Sequence, residues 1–306
     1  MPHPSPGHPD GSPAAGTAAP DRHPDATARA LRGRRRQLAG LRAVVTGGSS
    51  GVGRGLALEL CRRGVRVLAT ARREPRLAAL VAEAGSLPGD PVLLHVAGDI
   101  TAAAFRRELV AAAVERLGGL DIVVAAAGSG AIGSFRNADP ETLRRIMEID
   151  FFAAAELVRE SLPALARGRD PAIVLVGSIL GHHPLPLHAE YCAAKAALHS
   201  LAASLRQELA ADGIGVLLAS LGPTESEFWD HLLAGARPRW SRGRPLTAAR
   251  TATCIADALE RRCGGVIPGW RAKGFAIAAR CFPGLIDAIV RRRFHREAVA
   301  LHNQRR

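Results

Sequence analysis

The chain has 306 residues, 47% of them hydrophobic, with aromatic residues at only 4% and a formal net charge of +13. This describes a globular protein of one large α/β domain or two small ones, and no apolar run approaches the roughly 18 residues of a membrane-spanning helix. Seven Arg against three Asp in residues 1–42, and nine Arg or Lys against two acids in 271–306, account for most of the excess charge. The body between them is nearly balanced, with no basic stripe and little aromatic surface for stacking bases, which argues against nucleic acid as a partner.

Residues 1–38 open with MPHPSPGHPDGSPAAG, a Pro/Ala/Gly/His mixture without the apolar stretch of a signal peptide. They read as a disordered extension ahead of the folded part. Five cysteines (Cys61, Cys192, Cys254, Cys263 and Cys281) form no CxxC pair. They read as small buried side chains in a reducing cytoplasm, not as a disulfide or zinc framework.

From residue 39 the pattern alternates. Apolar runs predict buried parallel strands at 41–46 (LRAVVT), 65–70 (VRVLAT), 91–98 (PVLLHVAG), 120–128 (LDIVVAAAG), 171–178 (PAIVLVGS) and 215–222 (GVLLASLG). Helix-period stretches such as GLALELCRRG and RRELVAAAVERLGG lie between them, each closing in glycine. Strand and helix repeating in this way over 39–270 predict a single Rossmann-type α/β domain, a doubly wound parallel sheet with helices on both faces. In such sheets ligands bind beyond the carboxyl ends of the strands, so the strand exits carry the functional signal.

The first exit reads VVTGGSSGVGRG, with Gly47, Gly51 and Gly53 between a strand and an amphipathic helix. Glycine lets the backbone turn tightly and approach a pyrophosphate, whose charge then meets free N–H groups and the positive end of the helix. At the second exit, VLATARRE, Ala71, Arg72 and Arg73 stand where an NAD site places a carboxylate for the ribose 2′-hydroxyl. The planar fork of Arg72 suits a 2′-phosphate, and Arg54, directly after Gly53, is expected on the same side, whereas Arg73 reads as a solvated surface residue. The cofactor indicated is NADP(H).

Ser178 ends the fifth strand, and a loop broken by Pro184 and Pro186 leads to AEYCAAKAALHSLAASL. This holds Tyr191, the only tyrosine, and Lys195, one of two lysines in a chain that otherwise uses arginine. At i and i+4 on a helix they share one face, so their polar ends can meet at one ligand.

These residues resemble the short-chain dehydrogenase/reductase family, and its NADP(H)-dependent hydroxysteroid-dehydrogenase-like and carbonyl reductase members in particular. TGxxxGxG runs from Thr46 through Ser49, Ser50 and Val52 to Gly53, followed by Ser178 and by YxxxK from Tyr191 to Lys195. The resemblance implies that Tyr191 is the acid/base, that Lys195 orients the nicotinamide ribose and lowers the tyrosine pKa, and that Ser178 polarises the substrate oxygen. The scale is reasonable: bringing a tyrosine from about 10 to neutral takes roughly 4 kcal/mol, and one charge at ~4 Å under an effective dielectric of 20 supplies about that. The resemblance further implies cofactor contacts from Asp99 and Ile100 after the third strand, Ala127 and Gly128 after the fourth, and Pro223 and Ser226 after the sixth, together with a homo-oligomeric assembly. Two departures stand out. Asp150 takes the place of the catalytic asparagine, and Ala125, Ala126, Ala127 and Gly128 replace NNAG, without its bracing side chains.

The substrate side falls to two segments. His182, His183 and His188 lie in GHHPLPLH with no carboxylate cluster beside them, so they read as polar loop residues and no metal is assigned. Phe228, Trp229, Leu232, Leu233 and Trp240 occupy a long loop where a lid would lie, which suggests a lipophilic carbonyl or secondary alcohol as the small-molecule substrate. The tail, 271–306, mixes apolar residues with arginines and is broken by Pro283 and Gly284 into two short pieces. It is expected to pack on the domain with its basic face in water; peripheral contact with an anionic membrane is the alternative. For function, the alternative motivated by Asp150 and AAAG is a non-catalytic NADP(H)-binding regulator or scaffold of the same fold.

Overall fold

All six apolar runs form strands; the central ones are buried on both faces of the sheet, where Val, Ile and Leu pack best, and the edge-ward Leu93–Ala97 run is mostly half-buried. In a computed structural model, which describes residues 34–235 and 245–303, these are β1 (Arg42–Thr46), β2 (Arg66–Ala71), β3 (Leu93–Ala97), β4 (Ile122–Ala125), β5 (Ala172–Ser178) and β6 (Gly215–Leu221). A two-residue seventh, β7 (Gly265–Val266), is too short to announce itself by pattern. The sheet is wholly parallel in the order β3-β2-β1-β4-β5-β6-β7. The chain therefore winds outward from β1 to β3, then returns to β4 on the other side of β1, which opens a crevice at their carboxyl ends.

Helices α1 (Gly51–Arg62), α2 (Glu74–Ala84) and α7 (Ala248–Glu260) cover one face; α3 (Ala103–Leu117), α5 (Ala153–Leu165) and α6 (Ala189–Glu208) cover the other. The period of two along β1 sorts the core. Ala43 and Val45 join Leu56, Leu60, Leu77, Leu80 and Ile255, while Val44 joins Leu109, Leu157 and Leu198. Burying each such leucine contributes about 1.5–3 kcal/mol. Gly118 ends α3 at φ +80°, and Gly64, just past α1, has φ +77°, left-handed positions that only glycine adopts cheaply.

One polar contact deep in the body ties β1 to the turn before β4. The Asp121 carboxylate, fully buried, accepts from Arg42 Nε at 2.7 Å, Arg42 Nη2 at 2.7 Å and the Arg42 amide at 2.9 Å, and also from the Arg169 amide. Burial alone would raise its pKa, but the Arg42 hydrogen bond and the two amides hold it below the ordinary value. Asp121→Asn is expected to cost about 1.5–3 kcal/mol in denaturant unfolding at neutral pH. Because the folded-state pKa is depressed, the ion pair contributes fully above the unfolded carboxylate range and is lost as pH falls through its lowered value. The difference between parent and variant should therefore shrink in strong acid.

The segment 34–38, placed with the extension on sequence grounds, is seated on the domain. Leu38 is buried, and Arg36 donates to the carbonyls of Leu259 (2.9 Å), Asp170 (3.1 Å) and Pro171 (3.3 Å); the rest of the expected extension lies outside the described residues. The tail forms α8 (Trp270–Cys281) and α9 (Pro283–Asn303), broken at Pro283 as expected, though the second piece is a long helix of 21 residues. Its contact with the domain uses small residues, Ala272, Ala276 and Ala279, together with Phe294. Trp270 (82% exposed), Phe282 and Leu285 face outward. Two loop histidines reach this tail: His183 Nε2 lies 3.3 Å from Asp287 and its ring packs edge-on against Phe275. The neighbouring His182 contacts Ser220 at 3.0 Å and packs edge-on against His199. No described helix is long and apolar enough to cross a membrane.

Candidate active site

The strand exits at the carboxyl edge of the sheet open into one cavity of about 1060 Å³. That exceeds the usual range of about 300–1,000 Å³ for one small ligand and leaves room for a cofactor and a substrate side by side. Its polar end is the turn between β1 and α1. Gly47 and Gly51 have φ of +72° and +56°, and a Cβ on Gly53 would lie 2.5 Å from the Gly47 carbonyl oxygen, so the helix can sit this close to the strand only with glycine there. Ser49, Ser50 and Val52 line the same turn. Thr46, buried beneath, accepts the amides of Ala126 (3.0 Å) and Ala127 (2.9 Å). The AAAG loop is thus braced from β1, although its own side chains cannot do so.

Arg72, Asp99, Ile100, Ala127, Gly128, Pro223 and Ser226 all line this cavity, as expected. Asp99 is held by its own turn, accepting from the Thr101 amide at 3.0 Å and hydroxyl at 2.9 Å. Ser226 lies against the cradle, where a Cβ on Gly51 would approach its Cβ to 2.9 Å. Arg54 does not belong to the cavity wall: it pairs with Glu83 of α2, because its position on α1 points it across to the neighbouring helix. The second arginine at the cavity is Arg73, which sequence reasoning assigned to the surface. It donates to Ser49 Oγ (3.1 Å), Ser50 Oγ (3.0 Å) and Glu227 Oε2 (2.8 Å). The cradle, the free N-terminal turn of α1 and the two arginines at the β2 exit fit a nicotinamide dinucleotide, whose pyrophosphate needs the glycines and whose ribose end falls at β2.

Ser178 and Tyr191 meet in the cavity wall, one ending β5 and the other in the first turn of α6. The Tyr191 ring packs edge-on against Phe228 at 5.7 Å between centroids. Lys195 and Asp150 lie directly behind. Lys195 Nζ is 3.0 Å from Asp150 Oδ1, donates to the Val176 carbonyl at 3.2 Å and sits 5.7 Å from the Tyr191 ring centre. Asp150 is buried in a π-helical segment (Glu148–Phe152) between α4 (Pro140–Met147) and α5, where the extra residue per turn swings its carboxylate inward to accept the Ser129 amide at 3.2 Å. A Cβ on Gly128 would lie 2.6 Å from that carboxylate, which accounts for the glycine independently of any ligand.

This pair changes the electrostatics expected from sequence. Burial pushes the Tyr191 phenol above its ordinary value; Lys195 pulls it down, but Asp150 raises it again, and a hydrogen bond from Ser178 only partly compensates. Burial opposes the Lys195 charge, yet Asp150, and then Tyr191, hold the ammonium above its ordinary value. A lysine alone would acidify the tyrosine; a lysine already paired with a buried carboxylate does so far less.

Away from the cradle the lining is mainly apolar: Leu185, Phe228, Trp229, Leu232 and Leu233, and, from α8 and α9, Phe275, Ile289, Val290 and Phe294 together with Arg293. The first group matches the expected lid, except that Trp240 lies outside the described residues. The tail contribution had no signal in the sequence beyond amphipathic composition. His188 also lines the cavity, with Nδ1 2.9 Å from the Pro186 carbonyl.

A parallel doubly wound sheet, a glycine cradle and a Ser/Tyr/Lys set at its edge define a nicotinamide-dependent oxidoreductase. The short chain dehydrogenase family model matches residues 42–236, and the chain belongs to that family, whose members act on alcohol and carbonyl groups with NAD(P). It is 40% identical over 188 residues to an uncharacterized oxidoreductase of Myxococcus xanthus, covering 61% of this chain and 73% of that one. It is 29% identical over 248 residues to a hydroxysteroid 11-beta-dehydrogenase 1-like protein of Macaca fascicularis, covering 80% and 84%. In three dimensions it is similar to an alcohol dehydrogenase from the archaeon Thermococcus sibiricus, solved with 5-hydroxy-NADP, at a TM-score of 0.66 and 22% identity, covering 74% of this chain and 94% of that one.

Proposed function

We propose that the protein is an NADP(H)-dependent reductase or dehydrogenase of lipophilic carbonyls and secondary alcohols, with Tyr191 as the acid/base. The observation that carries this reading is the convergence of Ser178 and Tyr191 on a cavity that is polar at the glycine cradle and apolar at the tail helices. The cofactor, when bound, supplies or accepts the hydride. The chain's own part is to orient and to move a proton. Ser178 Oγ accepts the Leu180 amide at 3.1 Å, so its own proton is free of the backbone and can turn from Tyr191 to the substrate oxygen. Tyr191 Oη delivers a proton to that oxygen as a carbonyl is reduced, or removes one as an alcohol is oxidised. Lys195, its charge sustained by Asp150, fixes the electrostatic setting of the phenol from behind the cavity wall.

Phosphate preference is supported by the β2 exit, where the strand runs into Arg72 and Arg73 and not into a carboxylate for a 2′-hydroxyl. Arg72→Asp should weaken NADPH binding about tenfold or more in a fluorescence titration, since it turns an attraction for the 2′-phosphate into a repulsion, and should leave NADH binding within about twofold. Equal losses for both cofactors would refute the preference. The apolar walls support a lipophilic substrate, and NADPH consumption across a panel of carbonyls of increasing apolar size tests it. Asp150 favours the competing reading of a cofactor-binding protein with little turnover, which a parent protein inactive across that panel would establish.

A further inference from the structure

Arg73 does more than line the cofactor end of the cavity. One of its terminal nitrogens donates to the two cradle hydroxyls, Ser49 Oγ at 3.1 Å and Ser50 Oγ at 3.0 Å. The other donates to Glu227 Oε2 at 2.8 Å and lies 3.1 Å from His231 Nε2. Glu227 and His231 are the two ends of a short 3-10 helix (Glu227–His231) that carries Phe228, whose ring rests on Tyr191, and Trp229. The other Glu227 oxygen is 3.0 Å from Arg76. A single guanidinium therefore spans the cofactor half and the substrate half, and it stands at the β2 exit, where a 2′-substituent on the adenosine ribose is read.

We propose that Arg73 is a latch released by the cofactor's 2′-phosphate. Without that phosphate the guanidinium holds Glu227 and draws the 227–231 segment onto the cradle. A phosphate near −2 charge with three acceptor oxygens is a stronger partner than one carboxylate oxygen. It takes the guanidinium, Glu227 keeps Arg76 and, within its own short helix, His231, and the segment over Tyr191 loses its tie to the cradle and is freed to move. Cofactor binding and substrate admission are thereby coupled, and the coupling is reciprocal: whatever loosens Glu227 tightens the phosphate. The inference rests on the NADP(H) reading above.

The test uses the full chain and two small probes, adenosine 2′,5′-bisphosphate and 5′-AMP, by calorimetry, together with the emission of Trp229 in a Trp240→Phe/Trp270→Phe background. Glu227→Gln should bind the bisphosphate about fivefold tighter, equivalent to about 1 kcal/mol for a partly exposed ion pair, with 5′-AMP unchanged. In the parent background the bisphosphate should shift Trp229 emission and 5′-AMP should not; in Glu227→Gln the emission should already be shifted and respond no further. Glu225→Gln, which removes an exposed carboxylate nearby that does not touch Arg73, should leave both readouts at parent values. Equal tightening in Glu225→Gln and Glu227→Gln would reduce the effect to a general field and overturn the latch, as would a parent-like response of Trp229 in Glu227→Gln. Both of those outcomes leave the cofactor preference standing. A parent that binds the bisphosphate no better than 5′-AMP overturns the preference and the latch together.

Discussion

Replacing Tyr191 by Phe is expected to lower turnover by about 10²–10⁴-fold while leaving cofactor affinity within about twofold. Tyr191 is the only tyrosine in the chain, so no second phenol can stand in for it. The substitution removes one oxygen and keeps the ring, so the edge-on contact with Phe228 at 5.7 Å and the packing of α6 on β5 survive. What is lost is the phenol hydroxyl to which the proposed mechanism assigns proton exchange with the substrate oxygen. Ser178 cannot replace it, because a serine hydroxyl is a far weaker acid than a phenol. NADPH consumption in the steady state, with the melting temperature as a folding control, decides the matter. A variant as active as its parent would remove Tyr191 from the mechanism.

The second large effect comes from the residue behind it. Lys195→Met should destabilise the protein by about 3–5 kcal/mol as well as abolish turnover, since it strands the buried Asp150 carboxylate that now sits 3.0 Å from the ammonium. A lysine serving the cofactor alone would cost activity without this loss of stability. The deficit has a definite sign with pH. Burial already raises the Asp150 pKa, and without Lys195 nothing nearby of comparable strength opposes it. A raised carboxylate penalises the folded state only while it is charged, so the variant should recover stability as pH falls and Asp150 takes up a proton. Adding Asp150→Asn should restore most of the melting temperature and none of the turnover. Asp150→Asn alone should move the rising limb of the alcohol-oxidation profile toward lower pH, because the charge that raises the Tyr191 phenol is gone while Lys195 remains. A profile that stays in place would show that Asp150 does not set the acidity of the tyrosine.

These residues mark how far the sequence could be read. The six long strands, the cradle at Gly47, Gly51 and Gly53 and the Tyr191/Lys195 pair were all legible, because each depends on neighbours within a few positions: an apolar run, a turn, one helical face. The direct link between Lys195 and Asp150 was not, since it spans α6 and a π-helical segment that no spacing rule announces. The two arginines near the cradle take partners that their places in the chain do not announce. Arg54 adjoins the last glycine yet leaves it for Glu83, whereas Arg73, one place beyond the expected phosphate reader, turns back over Ser49 and Ser50. Chain adjacency predicts where a Cα lies but not which of several carboxylates a long side chain will choose. The tail was read from composition alone, and composition cannot show that Phe275 and Val290 close the far wall of the cavity.

That wall has a consequence for how such a protein can change. The residues assigned to hydride and proton chemistry fall within 42–236, whereas α8 and α9 begin only at Trp270. Substitution at Phe275, Ile289 or Val290 reshapes the apolar end of the cavity without touching a strand, the cradle or Tyr191. One wall of the cavity's apolar end is therefore written in a separate paragraph of the chain from the cradle and Tyr191, and lineages that rewrote the residues after Trp270 could reshape that wall while inheriting the rest of the site intact.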